Sequence, residues 1–301
     1  VVEVTAVAPD KAVARKAASA ALAEIKRLEN LLSTWIPKSE LSQINAAAGE
    51  HPVEVSSESM ELIERALEIA DLTEGGFNIA IGPAVNAWNV SKEGRIPSFQ
   101  ELNTLRPLID LSKIRLNHET RTVYLEREGM QIDIGGIGKG YAADKAAVVM
   151  EASGATAGVI AISGDIETFG RMPDNQRFVF GIQHPRKEQG QLLARIELEN
   201  EAVSTAGDYQ RFFEVKGVRY HHILDPITLQ PSNSSQSVTV IAKEGVVADG
   251  LDTGIFVMGP EKGMALIERL LGVEGVIVDG NGKVFVSSGL KERLQMEDPE
   301  P

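Results

Sequence analysis

Asp249, Asp252 and Thr253 stand at i, i+3 and i+4 in the run Asp249-Gly-Leu-Asp252-Thr253, so on a helix their oxygens share one face. Two carboxylates and a hydroxyl, with no His or Cys beside them, suit a hard cation such as Mg²⁺. A solvated acidic helix face has the same spacing. Asp133-Ile-Gly-Gly-Ile-Gly-Lys-Gly140 reads as a strand end turning through glycines into a helix. Backbone N–H groups and a helix N-terminus in that shape could cradle an anion, with Lys139 as a point charge. It is neither a P-loop, because no Ser or Thr follows the lysine in frame, nor a GxGxxG fingerprint, because Tyr141 takes the last glycine's place. A tight strand–helix turn would need the same glycines. In Tyr220-His221-His222-Ile-Leu-Asp225-Pro226 the two histidines of a strand point to opposite faces. That weakens a zinc reading and leaves one of them as a candidate general base near neutral pH, with cross-strand packing as the alternative. Ser163-Gly-Asp165 and Ser204-Thr-Ala-Gly-Asp-Tyr209 place small polar residues just past apolar runs, where ligand loops and ordinary turns both occur.

The frame for these groups is 301 residues, 43% hydrophobic and 24% charged, an ordinary globular mix long enough for one large domain or two. A net charge of -13 argues against a nucleic-acid surface, which needs a basic patch to displace counterions. An anionic ligand must therefore be met by local donors or a recruited cation. The absence of cysteine excludes disulfides, thiolate nucleophiles and Cys-based zinc sites. No apolar run reaches the length of a membrane span. The alternation Val1-Val2-Glu3-Val4-Thr5 looks like a strand already under way, so the natural chain is expected to extend upstream.

Asp10 is a plausible N-cap for a long helix with Ala14, Ala17, Ala21, Ile25, Leu28 and Leu32 on one face. Ser56/Ser57 opens a second helix that Gly75-Gly76 ends. Residues 122–134 read as a strand, a turn at Glu128-Gly129 and a second strand ending at Asp133-Ile134. A helix from Tyr141 to Ala152 leads into a strand at 158–162. Short alternating strands fill 177–242, two helical stretches follow Val246, and a hairpin turns at Asp279-Gly280-Asn281-Gly282. Helices and hairpins without a βαβ rhythm predict an α+β fold with mixed and antiparallel sheets, read as a single domain over 1–301 or two intertwined lobes with a frayed tail over 296–301.

Taken together the segments resemble the ApbE family, the FAD:protein FMN transferases once labelled thiamine-biosynthesis lipoproteins. Leu32-Ser-Thr-Trp-Ile-Pro-Lys-Ser-Glu-Leu-Ser-Gln-Ile-Asn45, Gly75-Gly-Phe-Asn-Ile-Ala-Ile-Gly-Pro-Ala-Val-Asn-Ala-Trp88, Asp133–Asp144, Ser204–Tyr209, His222–Pro226 and Ala248–Thr253 look like the family's motifs in the family's order. The resemblance implies an FAD cleft between two lobes. Asp249 and Thr253 would bind Mg²⁺ with the main-chain carbonyl of Gly136. Trp35, Gly76, Phe77, Asn78, Asp133, Lys139, Leu224 and Asp252 would line the FAD site, and His222 would be the base near the acceptor hydroxyl. It further implies Mg²⁺-dependent transfer of FMN from FAD to a Thr or Ser hydroxyl of a target flavoprotein, with AMP released. Acceptors of the Rnf or Na⁺-pumping NADH:quinone reductase type are implied. The place implied is the periplasmic, outer face of the bacterial inner membrane, through a lipid anchor on a Cys upstream of this chain. FAD pyrophosphatase activity and a non-catalytic flavin carrier are the alternatives.

Four positions depart from the family pattern. Asn78 stands where Asp is common, Leu229 where a Gly usually follows Thr, Ala206 for a frequent Ser, and Ser163 for a frequent Gly. These changes bear on rate and acceptor recognition more than on FAD binding, and Leu229 in particular lacks a glycine's ease at φ > 0.

Overall fold

A computed structural model of the protein describes residues 1–297. Its helices, in chain order, are α1 (Lys11–Leu32), α2 (Glu40–Ala46), α3 (Ser57–Leu72), α4 (Gly82–Trp88), α5 (Phe99–Leu105), α6 (Gly138–Ala152), α7 (Gly245–Met258) and α8 (Pro260–Arg269). A seven-stranded sheet runs in the spatial order Val2–Val7, Ala157–Ile162, Asp165–Phe169, Ala202–Gly207, Ser235–Ala242, Glu274–Asp279 and Val284–Val286. Every pairing in it is antiparallel, and the fold is α+β. No helix among the described residues is long and apolar enough to cross a membrane.

Strand periodicity decides what covers each face. Ala202, Ala206, Val238, Val240, Ala242 and Ile277 join the core under the helices, while Val203, Ile241, Val276 and Val278 point the other way. There they meet a small sheet of Phe178–Gln183, Leu192–Leu198 and Leu294–Met296. The strand Ser235–Ala242 is consequently buried along its whole length, as a strand covered on both faces must be. α1 begins where Asp10 Oδ1 accepts from the amides of Ala12 and Val13 at 2.8 and 2.9 Å, which satisfies two of its orphan donors. Its Ala17 and Ala21 share one core with Ala143 and Ala146 of α6, and the small side chains let the two helices approach closely.

Two expectations need correcting. Residues 130–134 do not form the second strand of a hairpin; Thr122–Leu125 pairs instead with Ile114–Asn117 and Val53–Glu54. The backbone of Ile132 is held by the Asn45 amide, which accepts from its N–H at 2.6 Å and donates to its carbonyl at 2.9 Å. The Asp133 N–H goes to the Ile79 carbonyl at 2.8 Å. With these groups engaged no ladder can form. The tail is not frayed from residue 296: Met296 pairs with Ala194 and the Glu297 amide donates to Leu193. The rest of that tail, 298–301, lies outside the described residues.

α7 starts at Gly245 without a cap from its own Glu244. Asp144 of α6 supplies it, accepting from the amides of Gly245 and Val246 at 2.6 and 2.9 Å. Glu167 lies against Asp144, and burial together with that carboxylate pushes its pKa up to about 9 from an ordinary 4.5. The folded protein thus keeps a proton that the unfolded chain gives up near 4.5. Stability from that proton is complete below the unfolded value and is lost as pH rises toward 9, with a limiting slope of about 1.4 kcal/mol per pH unit. Glu167→Gln, neutral at every pH and still able to donate to Asp144, is expected to flatten this slope. Urea midpoints from pH 5 to 9 should show its advantage over the parent widening with pH; parallel curves there would contradict it.

Candidate active site

The cluster is assembled from four elements. α7 is buried along its inner face and carries Asp249 and Asp252, both 2% exposed, with Thr253 beside them. Gly140 in the first turn of α6 lets α7 approach: a Cβ there would sit 2.0 Å from the Gly245 carbonyl, and its N–H donates to Asp249 Oδ2 at 2.9 Å. Lys139 reaches both Asp249, at 3.4 Å, and Asp165 at the head of strand Asp165–Phe169. Ser204 Oγ lies 2.6 Å from Asp252 Oδ2 and also contacts Asp165.

Asp165, Asp249 and Asp252 present oxygens within 4.8 Å of one another. Three carboxylates face one ammonium, and the single proton of the Ser204 hydroxyl can be donated to only one of the two it touches. Burial, then the other aspartates, raises the pKa of Asp252 well above the carboxylate range; burial does the same for Asp249, pushing it up to about 7 against the pull of Lys139. Burial works against the Lys139 ammonium, yet Asp249 and Asp165 outweigh it and hold the lysine charged. Fully ionised, the three aspartates would exceed Lys139 by two negative charges, and this pressure to take up protons among hard oxygen donors fits a divalent cation of the Mg²⁺ type. Asp249 and Thr253 could hold it with the Gly136 carbonyl, whose residue packs so close that a Cβ would lie 2.8 Å from the Thr253 hydroxyl oxygen.

The glycine turn does less for anions than its sequence suggests. The Gly135 N–H donates to Asp133 Oδ1 at 2.7 Å, that of Gly138 to the Ile134 carbonyl, and that of Gly140 to Asp249. Gly136 and Gly140 serve close packing against α7, and three of the cradle's amides are already engaged.

The histidine pair separates by face as its strand position requires. His221 is buried, its Nε2 2.8 Å from the Ser232 carbonyl and its Nδ1 accepting from the Ile223 amide, so both nitrogens are committed to structure. His222 faces the cleft with Nδ1 3.3 Å from the Arg211 carbonyl. A carbonyl only accepts, so Nδ1 carries the proton and Nε2 presents a lone pair. Burial, then the Arg211 charge, lowers the His222 pKa to about 4, which keeps that lone pair available at neutral pH.

All twelve residues singled out in the sequence line one cleft of about 160 Å³, from Trp35 at its lip through Gly76, Phe77 and Asn78, Asp133, Gly136 and Lys139, to His222, Leu224, Asp249, Asp252 and Thr253. An adjoining chamber of about 320 Å³, walled by Ile25, Leu28 and Leu32 of α1, shares Trp35, Asp133, Gly135 and Lys139 with it. Trp35 is 66% exposed, with Lys92 Nζ 4.9 Å from its ring centroid. Asn78 Oδ1 accepts from the Ala80 amide at 2.8 Å and so caps the turn beneath it. Asp165 and Ser204 belong to the centre although sequence spacing left them as turn or loop residues; only the pairing of their strands brings them to α7.

Profile comparison matches the ApbE family over residues 1–277. The chain belongs to the ApbE family. Among its relatives, the FAD:protein FMN transferase of Klebsiella pneumoniae (strain 342) is 32% identical over 91% of this chain and 85% of its own length. That of Treponema pallidum (strain Nichols) is 33% identical over 91% and 80%. The ApbE protein of Thermotoga maritima superposes with a TM-score of 0.87 at 31% identity, covering 94% of this chain and 92% of that one. The apo flavinyl transferase ApbE of Pseudomonas stutzeri gives 0.83 at 29% identity, covering 97% and 92%.

Leu229 adopts the left-handed conformation that a glycine would take more easily. It holds φ +59°, accepts from the Trp88 indole at 2.7 Å and is fully buried with Trp88 and Leu224. Left-handed backbone costs about 1–2 kcal/mol, less than the 2–5 kcal/mol of a buried leucine side chain. Leu229→Gly is therefore expected to lose about 2 kcal/mol in chemical denaturation; a stabilised variant would show that strain dominates here.

Proposed function

We propose that this chain is a metal-dependent FAD:protein FMN transferase that moves FMN from FAD to a Thr or Ser hydroxyl of an acceptor protein and releases AMP. The observation that carries it is the juxtaposition, in one cleft, of an undercompensated three-carboxylate centre and a histidine whose Nε2 is free to take a proton. The names and structures of the ApbE relatives support the same reading.

Mg²⁺ held by Asp249, Thr253 and the Gly136 carbonyl would offset charge on the phosphates as the bond to AMP breaks. The acceptor oxygen bonds to the FMN phosphorus, its proton passes to His222 Nε2, and AMP departs with the bridging oxygen. The Arg211 carbonyl orients the imidazole through Nδ1–H and fixes the tautomer. Lys139 keeps Asp165 and Asp249 together in the absence of substrate. Trp35, at the open lip, is placed to cover a planar ring.

We take acceptors of the Rnf or Na⁺-pumping quinone-reductase type, and a site of action on the outer face of the bacterial inner membrane, from the resemblance. AMP release from FAD and Mg²⁺, followed by chromatography with and without an Rnf-type acceptor domain, tests the reading. Acceptor-stimulated, EDTA-sensitive release is expected. Equal release in both tubes would indicate FAD hydrolysis, and bound FAD without AMP a carrier.

A further inference from the structure

The cleft has a charge problem that the carboxylate centre cannot solve. A divalent cation cancels the two negative charges left by Asp165, Asp249, Asp252 and Lys139, but a diphosphate brings its own. The glycine turn offers fewer amides than its sequence promised, and Lys139 is already committed to two aspartates. Of the side-chain cations lining the cleft, Lys139 and Arg211, only Arg211 makes no ion pair or side-chain hydrogen bond among the described residues. Most arginines elsewhere in this acidic chain are paired: Arg186 and Arg219 with Asp208, Arg171 and Arg177 with Glu199. Arg211 stands between the strands Ala202–Gly207 and Phe212–Val215, anchored by its own carbonyl, which accepts from the His222 amide at 3.2 Å and from the imidazole. Its guanidinium is close enough to act electrostatically on both Asp133 and His222.

We infer that Arg211 is a substrate-binding residue whose guanidinium takes the diphosphate of the dinucleotide at the mouth of the cleft. The inference rests on the reading of FAD as substrate. A planar fork of donors suits two phosphate oxygens at once, and its backbone attachment to His222 keeps the bound phosphate beside the base. Because Arg211 is an exposed residue and its carbonyl does the anchoring, substitution of the side chain leaves the histidine held.

The test is equilibrium binding of FAD and of riboflavin, which lacks phosphate, in Mg²⁺ to the parent, Arg211→Gln and Arg211→Lys, read by flavin fluorescence. Arg211→Gln is expected to weaken FAD roughly 10- to 100-fold, as for a lost charge-assisted contact, and to leave riboflavin within twofold. Arg211→Lys should recover part of the loss, and the salt dependence of FAD binding should be shallower in Arg211→Gln. FAD affinity unchanged in Arg211→Gln, or FAD and riboflavin weakened alike, overturns the inference. A parent protein that binds no FAD would overturn the functional reading first, and this inference with it.

Discussion

Asp249→Asn is expected to lower metal-dependent AMP release from FAD by about a thousandfold or more, because a cation on the transferring phosphates supplies several kcal/mol of transition-state stabilisation. The substitution is close to isosteric. The asparagine carbonyl can still accept from the Gly140 amide, the contact that ties α6 to α7, so the variant should fold. What it loses is one of the three charges that leave the centre undercompensated. The remaining aspartates can each be satisfied by Lys139 and Ser204, and the demand for a divalent cation falls. The measurement is initial rate against Mg²⁺ concentration, with the urea midpoint as a control on folding. A rate within tenfold of the parent at saturating metal, in a folded variant, would sink the metal assignment.

His222→Gln is expected to slow transfer by about 10²–10⁴-fold, the usual worth of a positioned general base, while FAD affinity stays within a few-fold. The parent's pH profile should carry the same signature. Burial and then Arg211 lower the His222 pKa to about 4; a base is active when neutral, so at Mg²⁺ concentrations that keep Asp249 ionised the rate ratio of parent to His222→Gln should hold from neutral pH down to near 4 and fall only below it. The acid limb of an ordinary histidine, near 6.5, is not expected. Such a limb would show an ordinary imidazole and contradict the lowered pKa, whereas a His222→Gln protein that no longer binds FAD would mark His222 as a ligand contact.

The parts of this site that sequence reading reached are those in which chemistry and spacing coincide. Asp249, Asp252 and Thr253 are legible because helical periodicity places them on one face, and His222 because strand alternation separates it from His221. Asp165 and Ser204 were out of reach. Each sits in a short polar run that ordinary turns also use, and their convergence on Asp252 depends on strands 165–169 and 202–207 being neighbours in the sheet. The false strand at 130–134 failed for a related reason: its backbone partners are the Asn45 side chain and the Ile79 carbonyl, far away in sequence. At Leu229 the sequence showed a missing glycine but not that Trp88 and Leu224 would bury the leucine well enough to hold the same left-handed turn.

Transfer leaves a covalent phosphoester on another protein. Its most direct measurement is the intact mass of an Rnf-type acceptor domain after incubation with FAD, Mg²⁺ and this protein. Transfer predicts a gain of one FMN less one water, absent with EDTA and absent when the acceptor threonine is replaced by valine. An acceptor of unchanged mass while AMP accumulates would contradict transfer and leave this cleft an FAD-hydrolysing site.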